Sequence, residues 1–339
     1  MLRNSGKWIL SSLVLASCSG DGPQLPGWLF EEGTTSAVES TSTTDASSST
    51  GLVAECGNGE LEEGEACEET DLNGATCETL GLSESGLTCV GCQLDASGCG
   101  PPPGMVEVPD DGVFEMGSNA YPDEMPIRQV QVDRFWMDET EVTVEAYAGC
   151  VDAGTCSEPS TGTYCNWMVA GREDHPVNCV TWFQAEEYCG YADEGTKRLP
   201  TEAEWEKAAR GTDAREYPWG DTPGPSCTHV VMIDGGSGCG MDSTWPVGSK
   251  PNGDSPYGAH DMAGNVWEWV ADWYADTYDA METSNPTGPE TGSLRVLRGG
   301  SWLGSFSYNF RAAYRYENDP AYDYITVGFR CARTPPATL

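Results

Sequence analysis

Six of the chain's 15 cysteines fall within residues 56–99, and eight more are spread from Cys150 to Cys331. Cys18 stands apart from both groups. Setting it aside leaves an even number, and even counts in an exported chain read as a disulfide framework. The segment 55–100 is short and rich in glycine and acidic residues, so it has too little apolar surface for a core without staples. It reads as a small disulfide module built on Cys56, Cys67, Cys77, Cys89, Cys92 and Cys99. Many connectivities are open to six cysteines, and spacing does not choose among them. "CVGC" at 89–92 has the spacing of a redox pair. No strand–helix unit surrounds it, however, and four other cysteines stand ready as partners, so a structural role is expected.

The N-terminus supplies the matching compartment. Arg3 and Lys7 precede a mostly apolar run from Trp8 to Ala16, which is too short to span a bilayer and has the flanks of a secretory signal. Leu15-Ala16-Ser17-Cys18 resembles the bacterial lipobox, in which the cysteine is acylated on its thiol and becomes the new N-terminus. The resemblance implies a signal peptide over 1–17 and a lipid anchor on Cys18, which accounts for the odd cysteine. Ser19, where Asp would favour retention at the inner membrane, implies the outer membrane of a bacterial cell envelope. Residues 18–54 then serve as a tether. Their run "TTSAVESTSTTDASSST" at 34–50 has no apolar period and cannot bury a core.

Charge narrows the partners. With 17 Lys+Arg against 54 Asp+Glu, the formal net charge is −37. Such a surface repels nucleic acid and anionic headgroups and attracts divalent cations. No nucleic-acid partner is expected.

"PPPG" at 101–104 reads as a stiff hinge into a main domain over 101–335. "MVEVPDDGVFEMGS" at 105–118 alternates weakly and predicts a hairpin at the start of that domain. Three helices follow from capping signals. Thr143 opens one that runs to about Ala153 and ends near Gly154. Thr181-Trp182-Phe183-Gln184 is a capping box, with Trp182, Ala185 and Cys189 on one face. Thr201-Glu202-Ala203-Glu204 is a second box; Trp205, Ala208 and Ala209 form its apolar stripe and Gly211 ends it. Beyond Gly211 the chain turns rich in Gly, Pro and aromatics, with short strands and long turns. The fold class is α+β with little regular structure.

Seven segments, in order, carry a resemblance to the formylglycine-generating enzyme (sulfatase-modifying factor) family. They are "VPDDGVFEMGS", "HPVNCVTWFQAEEYC", "KRLPTEAEWEKAARG", "YPWGD", "PYGAHDMAGNVWEWVADWY", "RVLRGGSW" and "VGFRCAR". The resemblance spans nearly all of 105–335 and implies a single compact domain related to C-type lectins. The 56–99 module likewise resembles cysteine-rich repeats of secreted bacterial proteins, at Cys56-Gly57-Asn58-Gly59 and Glu65-Ala66-Cys67.

The family reaction oxidises a cysteine of an unfolded sulfatase segment to formylglycine with O2, on Cu(I) held by two cysteines. Thiolates suit Cu(I), whereas amide and hydroxyl oxygens do not. The family's first cysteine lies three residues after the Ser of "GGSW" and its second five residues further on. Counted from Ser301, those positions are Gly304 and Asn309, so copper is not expected. The family also implies a disulfide between Cys189 and Cys331. It would close a loop of about 140 residues, worth roughly 5 kcal/mol in the chain-entropy model. The remaining six cysteines are expected to pair as neighbours: Cys150 with Cys156, Cys165 with Cys179, and Cys227 with Cys239.

A second enzymatic branch of the superfamily holds iron through three histidines. Here His175, His229 and His260 sit in unrelated motifs and read as isolated. One family element survives in "DMAGNVWEW". It implies a structural Ca2+ held by the side chains of Asp261 and Glu268 and the carbonyls of Gly264 and Val266, a hard oxygen set. The expectation is therefore a lipid-anchored surface protein whose family domain has lost its oxidase chemistry. It would act as a binding or interaction module for an envelope or extracellular protein, peptide or glycan. The competing expectations are a formylglycine-generating oxidase with displaced ligands and a purely structural envelope protein.

Overall fold

Threonines start all three α-helices of the described residues. Thr143 Oγ1 accepts from Ala146 N at the head of α1 (Val144–Asp152). Thr181 and Thr201 each close a capping box, with Gln184 and Glu204, ahead of α2 (Trp182–Gly195) and α3 (Glu202–Arg210). These side chains satisfy first-turn N–H groups that have no intrahelical partner. The computed structural model describes residues 56–62, 64–83 and 86–336. The expected signal peptide, the expected anchor Cys18 and the expected tether lie outside the described residues.

The described residues form twelve short strands as well: β1 (Thr88–Val90), β2 (Gln93–Asp95), β3 (Met105–Val108), β4 (Phe114–Met116), β5 (Arg128–Val130) and β6 (Phe135–Asp138). Then follow β7 (Lys197–Arg198), β8 (Trp267–Trp273), β9 (Arg295–Arg298), β10 (Tyr316–Asn318), β11 (Val327–Phe329) and β12 (Ala332–Arg333). Two four-stranded sheets run in the orders β3-β6-β12-β7 and β10-β9-β8-β11. β11 lies parallel to β8, and the other pairings are antiparallel.

The expected hairpin at 105–116 is not formed. β3 pairs with β6 and β4 with β5. Alternation assigns faces to a strand but not a partner. The turn between the two strands is held by α3, where Lys207 Nζ donates to Pro109 O at 2.7 Å and pairs with Asp111 at 3.1 Å. The chain is thereby led from one sheet to another.

The expected stripe of α3 is buried, yet so is the rest of the helix, including Glu202, Glu204, Glu206, Lys207 and Arg210. Its charges are met inside the protein. Glu206 receives Arg298 Nη2 at 2.6 Å and Arg210 Nη1 at 3.0 Å, and Glu202 receives Arg315 Nε at 2.6 Å. Buried charges persist only when paired in this way. On the other side of the domain, Trp269, Leu297 and Phe329 bury one sheet face against Tyr147 of α1 and Trp182, Ala185 and Cys189 of α2.

Among the described residues, seven disulfides brace these parts. The main domain carries Cys150–Cys156, Cys165–Cys179, Cys189–Cys331 and Cys227–Cys239. The module carries Cys56–Cys92, Cys67–Cys89 and Cys77–Cys99, so the two cysteines of "CVGC" belong to different bridges. The module is docked rather than hinged. Cys77, Leu82, Ala96 and Cys99 share a cluster with Met105 and Trp136. Arg134 donates to Ser97 O at 2.6 Å and to Cys99 O at 2.8 Å, while Pro102 of "PPPG" is buried.

Candidate functional site

After β9 the chain must fold back on itself, and two glycines allow it. Gly299 and Gly300 have φ of +93° and +82°. A Cβ on Gly300 would lie 2.8 Å from Asn309 O and 2.9 Å from Phe310 Cδ1, so glycine lets the two limbs of 298–310 meet. Ser301, Gly304 and Asn309 thereby come together in the wall of one cavity of about 510 Å3. Leu297, Val327 and Trp267 also line it, on the same sheet face that packs α1 and α2. β10 and the segment before β11 add Tyr316, Asn318, Tyr322, Tyr324 and Thr326.

At the two positions where the resemblance places copper thiolates there is no thiol. The space is occupied as well. A Cβ on Gly304 would stand 2.7 Å from Phe310 Cζ and 3.1 Å from Ser301 O, and Phe310 is only 1% exposed. All fourteen cysteines among the described residues are in disulfides.

The "DMAGNVWEW" segment lies next to this turn, with Gly264 N donating to Gly299 O at 2.8 Å and Trp302 N to Asn265 O at 2.8 Å. Asp261 and Glu268 are both buried. Asp261 Oδ2 accepts from Gly248 N at 2.6 Å. Glu268 is engaged on both oxygens, by Arg330 Nη2 at 2.7 Å and by Arg330 Nε at 2.8 Å and Trp205 Nε1 at 2.7 Å. Glu141 adds a third buried carboxyl, and neither of its oxygens has a hydrogen-bond partner. Burial, followed by the charge of Asp261, pushes the Glu141 carboxyl well up; burial also raises that of Asp261. An orphaned carboxylate beside a second acidic group fits a hard cation, which would supply the missing positive charge.

A second buried acidic pair lies at the head of α3. Burial alone would raise Glu202, but Arg315 and Arg298 outweigh it and hold its carboxyl below the usual range. Asp272 accepts from Glu202 N at 2.8 Å and is pushed up to about 8, by burial first and then by the charge of Glu202. One proton on Asp272 keeps the pair from carrying two negative charges.

The three histidines do not converge on common partners. His175 Nδ1 sits 2.9 Å from Thr244 Oγ1, His229 stacks on Trp219 with centroids 5.1 Å apart, and His260 Nδ1 is 2.6 Å from Asp254 Oδ1. Glu141 and Arg315 were not singled out in the sequence, and Arg330 stood only as part of "VGFRCAR" with no role attached. The tyrosines of the cavity did leave one, the dense spacing of "YRYENDPAYDY" at 314–324.

Helix caps, short-stranded sheets, four disulfides and the glycine turn make the main domain a disulfide-braced α+β domain. Residues 94–335 match the family model described as the sulfatase-modifying factor enzyme 1-like domain, and the chain belongs to that family. The formylglycine-generating enzyme of Bos taurus is 35% identical over 289 residues, covering 68% of this chain and 75% of that protein. That of Thermomonospora curvata is 36% identical over 292 residues, covering 68% and 94%. The structure of PvdO from Pseudomonas aeruginosa superposes with a TM-score of 0.58 at 27% identity, over 68% of this chain and 93% of that one.

Proposed function

We propose that the chain is an exported, lipid-anchored member of the family that does not form formylglycine and uses the cavity beside Ser301 to bind a partner. One observation carries this reading. The copper positions hold Gly304 and Asn309, and Phe310 fills the volume that a side chain on residue 304 would need. A carboxamide does not replace a thiolate for Cu(I), and every described cysteine is spent in a bridge. The cavity nevertheless persists, with converging polar and aromatic side chains of the kind that make a binding site.

The alternative is formylglycine formation, which the names of the bovine and Thermomonospora relatives favour. The test is mass analysis of a sulfatase-type Cys peptide after incubation with the full chain, Cu(I) and O2 at equimolar protein. An unchanged peptide is expected. Formylglycine on the peptide overturns the reading.

Calcium belongs to the same proposal. Asp261 and the carbonyls of Gly264 and Val266 would hold it, with the orphaned Glu141 carboxylate as a further oxygen donor. Glu268 would join only by sharing an oxygen with Arg330. Bound there, the ion would offset buried negative charge and tie the segment before β8 to the Gly299–Gly300 turn. Anchoring rests on Cys18. Cys18→Ala is expected to leave the membrane fraction or stall in processing, and a processed, membrane-bound Cys18→Ala chain counts against the anchor.

A further inference from the structure

We infer that the cavity beside Ser301 takes a neutral oligosaccharide, with sugar rings laid against its aromatic walls. This names the ligand class of the binding module proposed above and rests on that reading.

The first argument is charge. Charged residues make up 21% of the chain and leave it at −37, yet none of the thirteen residues lining the cavity is Asp, Glu, Lys or Arg. An anionic ligand would find no cation in the wall and would be repelled by the surrounding field. A cationic one would be drawn in by the field and by the ring faces but would find no carboxylate in the wall. An uncharged ligand needs no counter-charge from it.

The second is the rings. Trp267 and Tyr316 lie face to face with centroids 5.3 Å apart, and so do Tyr322 and Tyr324 at 5.5 Å. Tyr316, Tyr322 and Tyr324 remain 44%, 44% and 46% exposed, so apolar faces are held against solvent around one opening. The face of an aromatic ring is electronegative. It attracts the C–H-rich face of a pyranose while the sugar's hydroxyls point sideways. The third is the polar complement. Ser301, Asn309, Asn318 and Thr326 each both donate and accept, which matches hydroxyls that do the same.

Strand addition of a peptide is not the mode this wall suggests. The cavity lies on the face of the β10-β9-β8-β11 sheet, whereas strand addition uses the in-plane N–H and C=O groups of a sheet edge. The wall offers chiefly rings, hydroxyls and amides, and recognition falls to these.

The experiment titrates the full chain with neutral tetrasaccharides (cello-, xylo-, manno-, malto- and chito-series), an oligogalacturonate and the sulfatase-type Cys peptide. Saturation-transfer NMR and tryptophan fluorescence report binding. At least one neutral tetrasaccharide is expected to bind with little dependence on added salt. Tyr316→Ala and Tyr324→Ala should weaken that binding about tenfold or more, while the fold is kept and the melting temperature falls only slightly, since both rings lie at the surface with one stacking partner each. The inference is overturned if no neutral tetrasaccharide saturates below about 10 mM. Affinity unchanged in both variants, or binding of the oligogalacturonate or the peptide alone, overturns it equally. Peptide binding without oxidation would sink the sugar and leave the module standing; formylglycine on the peptide would sink the module itself.

Discussion

Restoring two cysteines does not restore the copper site, and the obstacle is a phenyl ring. Gly304→Cys with Asn309→Cys supplies two thiols at the family spacing. The new Cβ on residue 304 would stand 2.7 Å from Phe310 Cζ and 3.2 Å from its Cε1, against an optimum of about 3.5–4.0 Å between carbons. The backbone at Gly304 is not in the left-handed region, so the cost falls on contacts, first with the Phe310 ring and then with Ser301 O at 3.1 Å. Phe310 has little freedom to yield, because it packs with Tyr217, Val230, Met232 and Ala263 and its ring lies close over Gly300. Overpacking of this kind costs about 1–3 kcal/mol. Phe310→Leu in the double-cysteine background should return roughly 1–2 kcal/mol of that as a coupling energy, and open room for a metal between the thiols. Urea unfolding followed by tryptophan fluorescence measures the first quantity, and competition against a chromogenic Cu(I) chelator measures the second. The expected order is a double-cysteine variant that is destabilised and binds copper poorly, and a triple variant that binds it better. A double-cysteine variant as stable as the parent, holding one Cu(I) per chain, would refute the reasoning.

Three further outcomes follow from the same structure. Removing Cys189–Cys331, with a separation of 142, should cost about 5 kcal/mol, against roughly 2 kcal/mol for Cys150–Cys156 with a separation of 6; equal losses on denaturation would contradict the loop argument. Asp272 is raised from 3.8 to about 8, so its contribution to stability is complete below pH 4 and is lost as pH rises through about 8. Asp272→Asn should therefore flatten the stability–pH curve across that interval and exceed the parent near pH 9, by an amount bounded on the order of 5 kcal/mol; parallel curves would rule this out. If Ca2+ sits on Asp261 and Glu141, a chelator should lower the melting temperature by roughly 5–10 °C from hundredfold-saturating ion. Asp261→Ala or Glu141→Gln should abolish that response, and a melting curve indifferent to Ca2+ in the parent would remove the site.

What the sequence made legible was what is decided within a few residues. Thr143, Thr181 and Thr201 mark helix starts because a cap is a contact between i and i+3, and all three helices begin there. Neighbouring cysteines such as Cys227 and Cys239 were legible as a pair for the same reason. The hairpin at 105–116 was not, because its outcome depends on Lys207, about a hundred residues on, holding the turn at Pro109. The bridges of the 56–99 module were equally closed to inspection, since spacing does not choose among six cysteines and one of the three, Cys77–Cys99, packs with Trp136 of the main domain. The site divides along the same line. That Gly304 and Asn309 stand where thiols would be is a matter of counting from Ser301. That Phe310 blocks the way back is not, because it depends on how tightly the Gly299–Gly300 turn draws the two limbs together. The absence of both thiols can thus be read one position at a time. The cavity cannot, because it depends on distant segments meeting, here Trp267 from one strand and Tyr316, Tyr322 and Tyr324 from a stretch 49 to 57 residues later, converging on one wall without charged residues.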